Sequence, residues 1–294
     1  MRLKYEILWF EDSERFVNPL KNRIQSYLND LGFDLISYVE PNGDNLDNFI
    51  TNYDVDLILI DLNLDKGKLE ETGSTLIDKI RNNEIYTEII FYSGLQNVEN
   101  SITKHLEGVF LSRRGTLFNK TKKIINLTIK KNQDIENIRG LFIAEYIDIV
   151  NKMDEIIFNV INLPPSSEFF FKDQILQTQF FTDGEKYKII QRLLRKNISS
   201  MKSKLSRSRS ASSISKLKLE IVKAKEAKEF LNQMQREVIE VRNDFAHCHI
   251  SSDKRNTLVS KRGEKEYDDN ECQRVRKNFL KHAQNLDIIK EILS

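Results

Sequence analysis

Two groups of residues in this 294-residue chain have the types and spacing to do chemistry. The first is the hexapeptide Arg242-Asn243-Asp244-Phe245-Ala246-His247. A guanidinium and an imidazole five positions apart at a helix end supply one cation and one base, half of a metal-free phosphodiester-cleaving site. Cleavage of RNA by its own 2′-hydroxyl needs a group to take that proton, charge stabilisation on the phosphorane, and a proton donor to the leaving 5′-oxygen. The second group is Glu11, Asp12, Asp61 and Ser93, each at or just past the end of an apolar run. Three carboxylates suit Mg²⁺, and an aspartate beside a bound cation can accept a phosphoryl group because the metal offsets charge on the oxygens.

Both groups need scaffolds. In the first 130 residues, short apolar runs (Tyr5–Phe10, Phe33–Val39, Asp56–Leu64, Glu88–Tyr92, Gly108–Leu111) alternate with helical spacings (Phe16–Leu31, Leu46–Tyr53, Gly73–Arg81, Phe118–Ile129). Five βα units predict a doubly wound, five-stranded parallel sheet, whose strand C-termini share one edge and so gather Glu11, Asp12, Asp61 and Ser93. Beyond Lys130 strand signals stop. Helical patterns cover Ile135–Ile161 (ended by Pro164-Pro165), Glu185–Leu205, a stretch from near Ser213 to the hexapeptide, and Asp268–Leu293 with Asp268 or Asp269 as N-cap. Phe169–Phe171 and Phe180-Phe181 read as core plugs, and Arg207–Ser215 as a low-complexity turn or frayed helix end. The long pattern carries Ile214, Leu217, Ile221, Phe230, Met234, Val238, Val241 and Phe245. The reading is therefore an α/β domain over residues 1–130 and an all-α bundle over 131–294.

R-N-x-x-A-H inside an all-helical segment resembles the Rx4-6H motif of the HEPN superfamily, most strongly over Glu237–Ile250 and less specifically through the FLKHAQNLDII stretch of the last helix. Many members are ribonucleases; others bind without cutting. The resemblance implies catalysis at a two-fold dimer cleft without metal, with His247 as acid or base, Arg242 as phosphate stabiliser and Asn243 as an orienting residue. Arg242 to His249 also satisfies the looser spacing. Residues 3–130 resemble response-regulator receiver domains, a flavodoxin-like fold. There Glu11 and Asp12 take the places of the metal-binding acid pair, Asp61 that of the phosphoacceptor, Ser93 that of the switch hydroxyl and Phe110 that of the switch aromatic. Mg²⁺ on Glu11, Asp12 and Asp61, and a histidine kinase or other sensor protein as partner, follow from that resemblance. Two residues depart from the pattern: Arg113 stands where the family has lysine, and Arg114 replaces the usual proline. Arginine is bulkier and forked, so it either binds a phosphate or locks onto Asp61, which leaves both a phosphorylated receiver and a pseudo-receiver open. Together the resemblances imply a switch joined to an effector. The first expectation is a receiver-controlled ribonuclease of the kind found in bacterial defence (antiviral defence, toxins) and stress systems; the second is a signalling adaptor with a non-cutting helical dimerisation domain that binds protein or nucleotide.

Charge is unevenly spread. Residues 1–118 hold 12 Lys and Arg against 20 Asp and Glu, while the chain as a whole is +2. Between Arg192 and Lys228, 12 basic residues face only Glu220 and Glu226. Arg192, Arg195, Lys196, Lys202, Lys204, Arg207 and Arg209 are thus candidates to guide an RNA backbone. No stretch approaches the roughly 18 apolar residues of a membrane span. Met1–Asp12 reads as a strand rather than a leader, and two cysteines make no disulfide framework, so a cytoplasmic location is expected. His247, Cys248, His249 and Cys272 match no structural zinc spacing.

Overall fold

The structure, a computed structural model, describes residues 3–53, 55–64, 72–94, 107–131, 135–161, 171, 175, 181–254, 256–260 and 263–294. Pro164-Pro165, most of the two aromatic clusters, and the segment between the fourth and fifth strands lie outside them. Contacts divide the chain into one unit over Leu3–Asp134 and another that takes in Ile135–Ser294.

The front unit runs β1 (Lys4–Phe10), α1 (Glu14–Leu31), β2 (Asp34–Glu40), α2 (Leu46–Asn52), β3 (Leu57–Asp61), α3 (Gly73–Asn82), β4 (Ile89–Ser93), β5 (Val109–Arg113) and α4 (Leu117–Lys131). Its strands form one sheet in the order β2-β1-β3-β4-β5, with every pairing parallel. Strands buried on both faces are apolar at successive positions, which is why β3 (LILID) and β4 (IIFYS) read as unbroken runs. The two-residue period splits their side chains. Tyr5, Ile7, Trp9, Leu57, Leu59, Ile90 and Tyr92 pack with α1 and α4. Leu8, Phe10, Ile58, Ile60, Ile89 and Phe91 pack with α2 and α3 on the other face. The direction in which strands are added to the sheet reverses between β1 and β3, so their C-terminal ends open a crevice, and residues 11 and 61 border it.

The back unit contains α5 (Ile135–Ile161), α6 (Asp183–Arg207), α7 (Ala211–Met234), α8 (Glu240–His247) and α9 (Asp269–Leu293). A π-helical turn, Gln235–Ile239, joins α7 to α8. Helix α9 packs against α5 and α7, and α6 packs against α5 and α7. Its N-cap is Asp268, whose side chain accepts from the Glu271 N–H. At the centre Phe142 of α5 stacks on Phe279 of α9 and meets Phe245 of α8 edge-on.

Three expectations are corrected. Strand signals do not stop at Lys130: β6 (His249–Ile250), β7 (Thr257–Ser260) and β8 (Gly263–Glu266) form a small antiparallel sheet beside the bundle. These strands are two to four residues long and mostly polar, too short to show a period. The expected Ser-rich turn shrinks to residues 208–210, because α7 already starts at Ala211. Phe230 does not face the core; it is 42% exposed, and the inward stripe of α7 is Ile221, Ala224, Ala227, Leu231 and Met234. Alanines escape a search for large apolar residues, yet they let helices approach closely.

Candidate functional sites in the two units

In the front unit, Glu11, Asp61 and Ser93 are all buried at strand ends, while Asp12 is exposed. Glu11 follows the face of Trp9, and Asp61 the face of Leu59, so both side chains lie on the α1 and α4 side of the sheet. On β5 the same alternation carries Phe110 and Ser112 to that side, and Arg114 continues it as the first residue of the 3-10 turn Arg114–Thr116. The guanidinium at the carboxylates is therefore that of Arg114. Arg113, the residue in the lysine position, is exposed. Arg114 Nη2 donates to Glu11 Oε1 (2.9 Å), Glu11 Oε2 (3.0 Å) and Asp61 Oδ2 (2.7 Å). Its plane also lies over the Phe16 ring, 4.8 Å from the centroid.

Two residues absent from the sequence reading hold the other side of Glu11. Trp9 Nε1 donates to the Tyr92 hydroxyl (2.6 Å), which donates to Glu11 Oε2 (2.8 Å). A tryptophan and tyrosine inside apolar runs pass as core, and only their polar tips mark them. Burial pushes the Glu11 and Asp61 carboxyls above the ordinary carboxylate range, against the pull of Arg114. Burial pulls Arg114 down, but the two carboxylates more than offset it and its pKa rises. The two directions share one cause, since desolvation penalises every charge and one guanidinium only partly compensates two carboxylates. Among the described residues Asp61 Oδ1 has no hydrogen-bond partner, and it is buried. Gly73 starts α3 where a Cβ would lie 2.2 Å from the Asp61 carbonyl oxygen, so only glycine lets the helix approach this corner. Phe110 packs half-buried against the core on the α1 and α4 side. As arranged, these residues do not fit a metal centre. The expected Mg²⁺ ligands Glu11 and Asp61 already face a cation, and among the described residues no group of three or more His, Cys, Asp or Glu is placed to hold a metal.

In the back unit the hexapeptide forms most of α8 and divides by face. Phe245 is fully buried, and Asp244 accepts from Lys265 Nζ (3.1 Å) and the Tyr267 hydroxyl (3.2 Å). Asn243 and His247 are exposed one helical turn apart. Arg242 is half-buried between them and the bundle. It lies over the Tyr146 ring (4.6 Å), donates through Nη1 to Asn243 Oδ1 (2.9 Å) and pairs through Nη2 with Asp183 Oδ2 (3.5 Å). The same Asp183 oxygen accepts from the Tyr146 hydroxyl (2.7 Å). His249 lies off the helix, exposed on β6 opposite Val259. Cys272 is buried, its thiol donating to the Tyr267 carbonyl and pushed up to about 11 by burial. Beside Asn243 opens a cleft of about 380 Å³ lined by Arg236, Glu237, Glu240, Asp244, Lys265 and Arg274, so its charge is mixed rather than uniformly basic. Arg192, Arg195, Lys196, Lys202, Lys204 and Arg207 are exposed on α6, and Arg209 is exposed just beyond it.

Glu237, in the π-helical turn, joins this cleft to a buried histidine. It accepts from Lys281 Nζ (2.5 Å) and pairs with His282 Nε2 (2.8 Å). Burial lowers the His282 pKa below its ordinary 6.5, against the pull of Glu237. Burial would raise Glu237, but the bonds from Lys281 and His282 hold it below its ordinary 4.5. His282 is thus a neutral imidazole with its proton on Nε2, and Lys281 supplies the charge. An unfolded chain takes up a proton near pH 6.5 that the folded chain refuses, so stability is full above that pH and falls as acid is added. Glu237 extends the loss below about pH 4.5. Thermal unfolding at pH 7.5 and 5.5 checks this. The drop in midpoint is expected to shrink in His282→Gln, and an undiminished drop would refute it.

No protein-family model matches the chain, and no curated protein matches it. Among solved structures it is similar to the receiver domain of a Francisella response regulator (18% identity, TM-score 0.37, covering 44% of this chain and 100% of that one). A signal receiver domain of a Luxo repressor protein from Vibrio parahaemolyticus shares 21% identity at a TM-score of 0.35, over 44% and 92% of the two chains. A CheY-like receiver domain from Methanospirillum hungatei shares 20% at 0.33, over 44% and 98%. The N-terminal segment resembles response-regulator receiver domains. The fold assignment itself stands on the strand order and the helices on both faces of the sheet.

Proposed function

We propose that this protein is a metal-independent endoribonuclease of the HEPN type, acting as a homodimer in bacterial defence or stress response, with the receiver-like unit as its regulatory part. The observation that carries the reading is the division of α8. Its inward residues anchor the helix, while Asn243 and His247 face solvent beside a guanidinium held by Tyr146, Asn243 and Asp183. A half-exposed arginine fixed at three points is preorganised for a phosphate. The seven exposed cations along and just beyond α6 then steer the RNA backbone. Incubating the purified protein with total RNA and with tRNA in EDTA, beside His247→Ala, tests it. Cleavage by the wild type alone is expected, and no cleavage by either refutes it.

One motif supplies a single imidazole, and the two proton transfers need two groups, so the site is completed by a second copy. Light scattering is expected to give twice the 34.6 kDa chain mass. A strict monomer with full nuclease activity would sink the dimer.

A second reading is favoured by one observation. Asp183 already partly neutralises Arg242, which suits an adaptor that binds through the helical unit and does not cut. In either reading a sensor protein is the partner of the front unit.

A further inference from the structure

We infer that the acidic pocket of the front unit carries its own cation, and that Arg114 does there the charge compensation a divalent metal would do. Three buried carboxylate oxygens of Glu11 and Asp61 lie within 2.7–3.0 Å of the single atom Arg114 Nη2. The guanidinium is fixed from both sides: the Phe16 ring lies under it, and Glu11 is itself held by Tyr92 and, through Tyr92, by Trp9. Phe16 also packs against both Trp9 and Tyr92, so cation, carboxylate, hydroxyl and indole form one connected unit. This cation is part of the fold, and it is 34% exposed on a side chain whose two partners are almost fully buried.

Two consequences follow. A divalent cation at Asp61 would sit against a guanidinium it repels, with Glu11 already engaged on both oxygens. Among the described residues, Asp61 Oδ1, buried and without a hydrogen-bond partner, and the exposed Asp12 remain on offer. Asp61 is shielded from accepting a phosphoryl group as well, because Oδ2 is held by Arg114, Oδ1 is buried, and the guanidinium occupies the place of the metal that would offset charge on the transferring group. The front unit then holds its form without metal, and its regulatory input is contact with another protein rather than phosphorylation. This inference does not rest on the ribonuclease reading.

The experiment uses the full chain. Calorimetric titration with MgCl₂ is expected to give no saturable heat for the wild type up to about 10 mM, and the thermal midpoint should not respond to Mg²⁺. Arg114→Gln keeps a polar side chain over Phe16 and removes the charge, leaving two carboxylates uncompensated. It is expected to bind Mg²⁺ at least tenfold more tightly than the wild type and to gain thermal stability as Mg²⁺ is added. Adding Asp61→Asn to Arg114→Gln should abolish that response. Arg114→Lys, which keeps a cation, should stay unresponsive. If Arg114→Gln folds only in Mg²⁺, the metal requirement itself supports the inference. Wild type binding Mg²⁺ as tightly as Arg114→Gln overturns it. A folded Arg114→Gln that ignores Mg²⁺ overturns it too, because the pocket would then be no cation site at all.

Discussion

Replacing His247 with alanine is expected to slow RNA cleavage in EDTA by roughly 10²–10⁴-fold, the usual worth of a general acid or base. Arg242→Ala is expected to lose roughly 10²–10³-fold, as one preorganised charge-stabilising donor is removed. The two variants should differ in stability. His247 is exposed at the last residue of α8, so its loss should change unfolding by less than about 0.5 kcal/mol. Arg242 also covers the Tyr146 ring, so its truncation removes packing as well as charge. Asp183 keeps the Tyr146 hydroxyl as a donor, so its half-buried carboxylate is not left bare. His249→Ala is the control, since that side chain lies on β6. Time courses on end-labelled RNA, with unfolding curves alongside, measure all three. Should His247→Ala cut like the wild type, the ribonuclease reading fails. Should no variant nor the wild type cut, the Arg242–Asp183 pair is the simpler account of the motif, and the adaptor stands.

What the sequence made legible follows from periodicity. Strands buried on both faces and amphipathic helices of 15 to 27 residues leave long signals, so β1 to β5, α1 and α5 lie within a few residues of their expected bounds. Strand-end carboxylates were legible because a parallel sheet sends all its C-termini to one edge. Three things were not. The strands β6 to β8 are too short and polar to carry a period. The π-helical turn Gln235–Ile239 inserts a residue into a helix that otherwise keeps its spacing, and nothing in QREVI announces it. Most telling is the difference between Arg113 and Arg114. Alignment by position puts Arg113 at Asp61, whereas the place goes to Arg114, the first residue past β5, as counting in twos from the buried Ser112 suggests. The Trp9–Tyr92–Glu11 chain was hidden because it joins residues 81 and 83 positions apart, a distance no local pattern spans.

Phe245→Ala is expected to destabilise the back unit by about 3–5 kcal/mol, the usual result of truncating a buried phenylalanine. Phe245 is fully buried, with its ring 5.0 Å from Phe142 and 4.5 Å from Tyr267. Phe142 is in turn stacked on Phe279 at 5.5 Å, so α5, α8 and α9 meet around one ring, and Tyr267, the residue just after β8, closes the group. Rigid rings on two sides, one of them backed by Phe279, keep the cavity from collapsing, which places the loss toward the upper part of that range. The chain offers a way to see where the loss falls. Its single tryptophan, Trp9, is buried in the front unit, whereas the long helices of the back unit dominate far-UV circular dichroism. Urea unfolding followed by circular dichroism should shift by the full amount, and a shift below about 1 kcal/mol would contradict the packing described. The comparison also separates the two faces of the hexapeptide. In Phe245→Ala activity is expected to fall in step with unfolding, because the ring holds α8 in place. In His247→Ala activity should vanish from a folded protein, because that side chain meets only what comes to the surface.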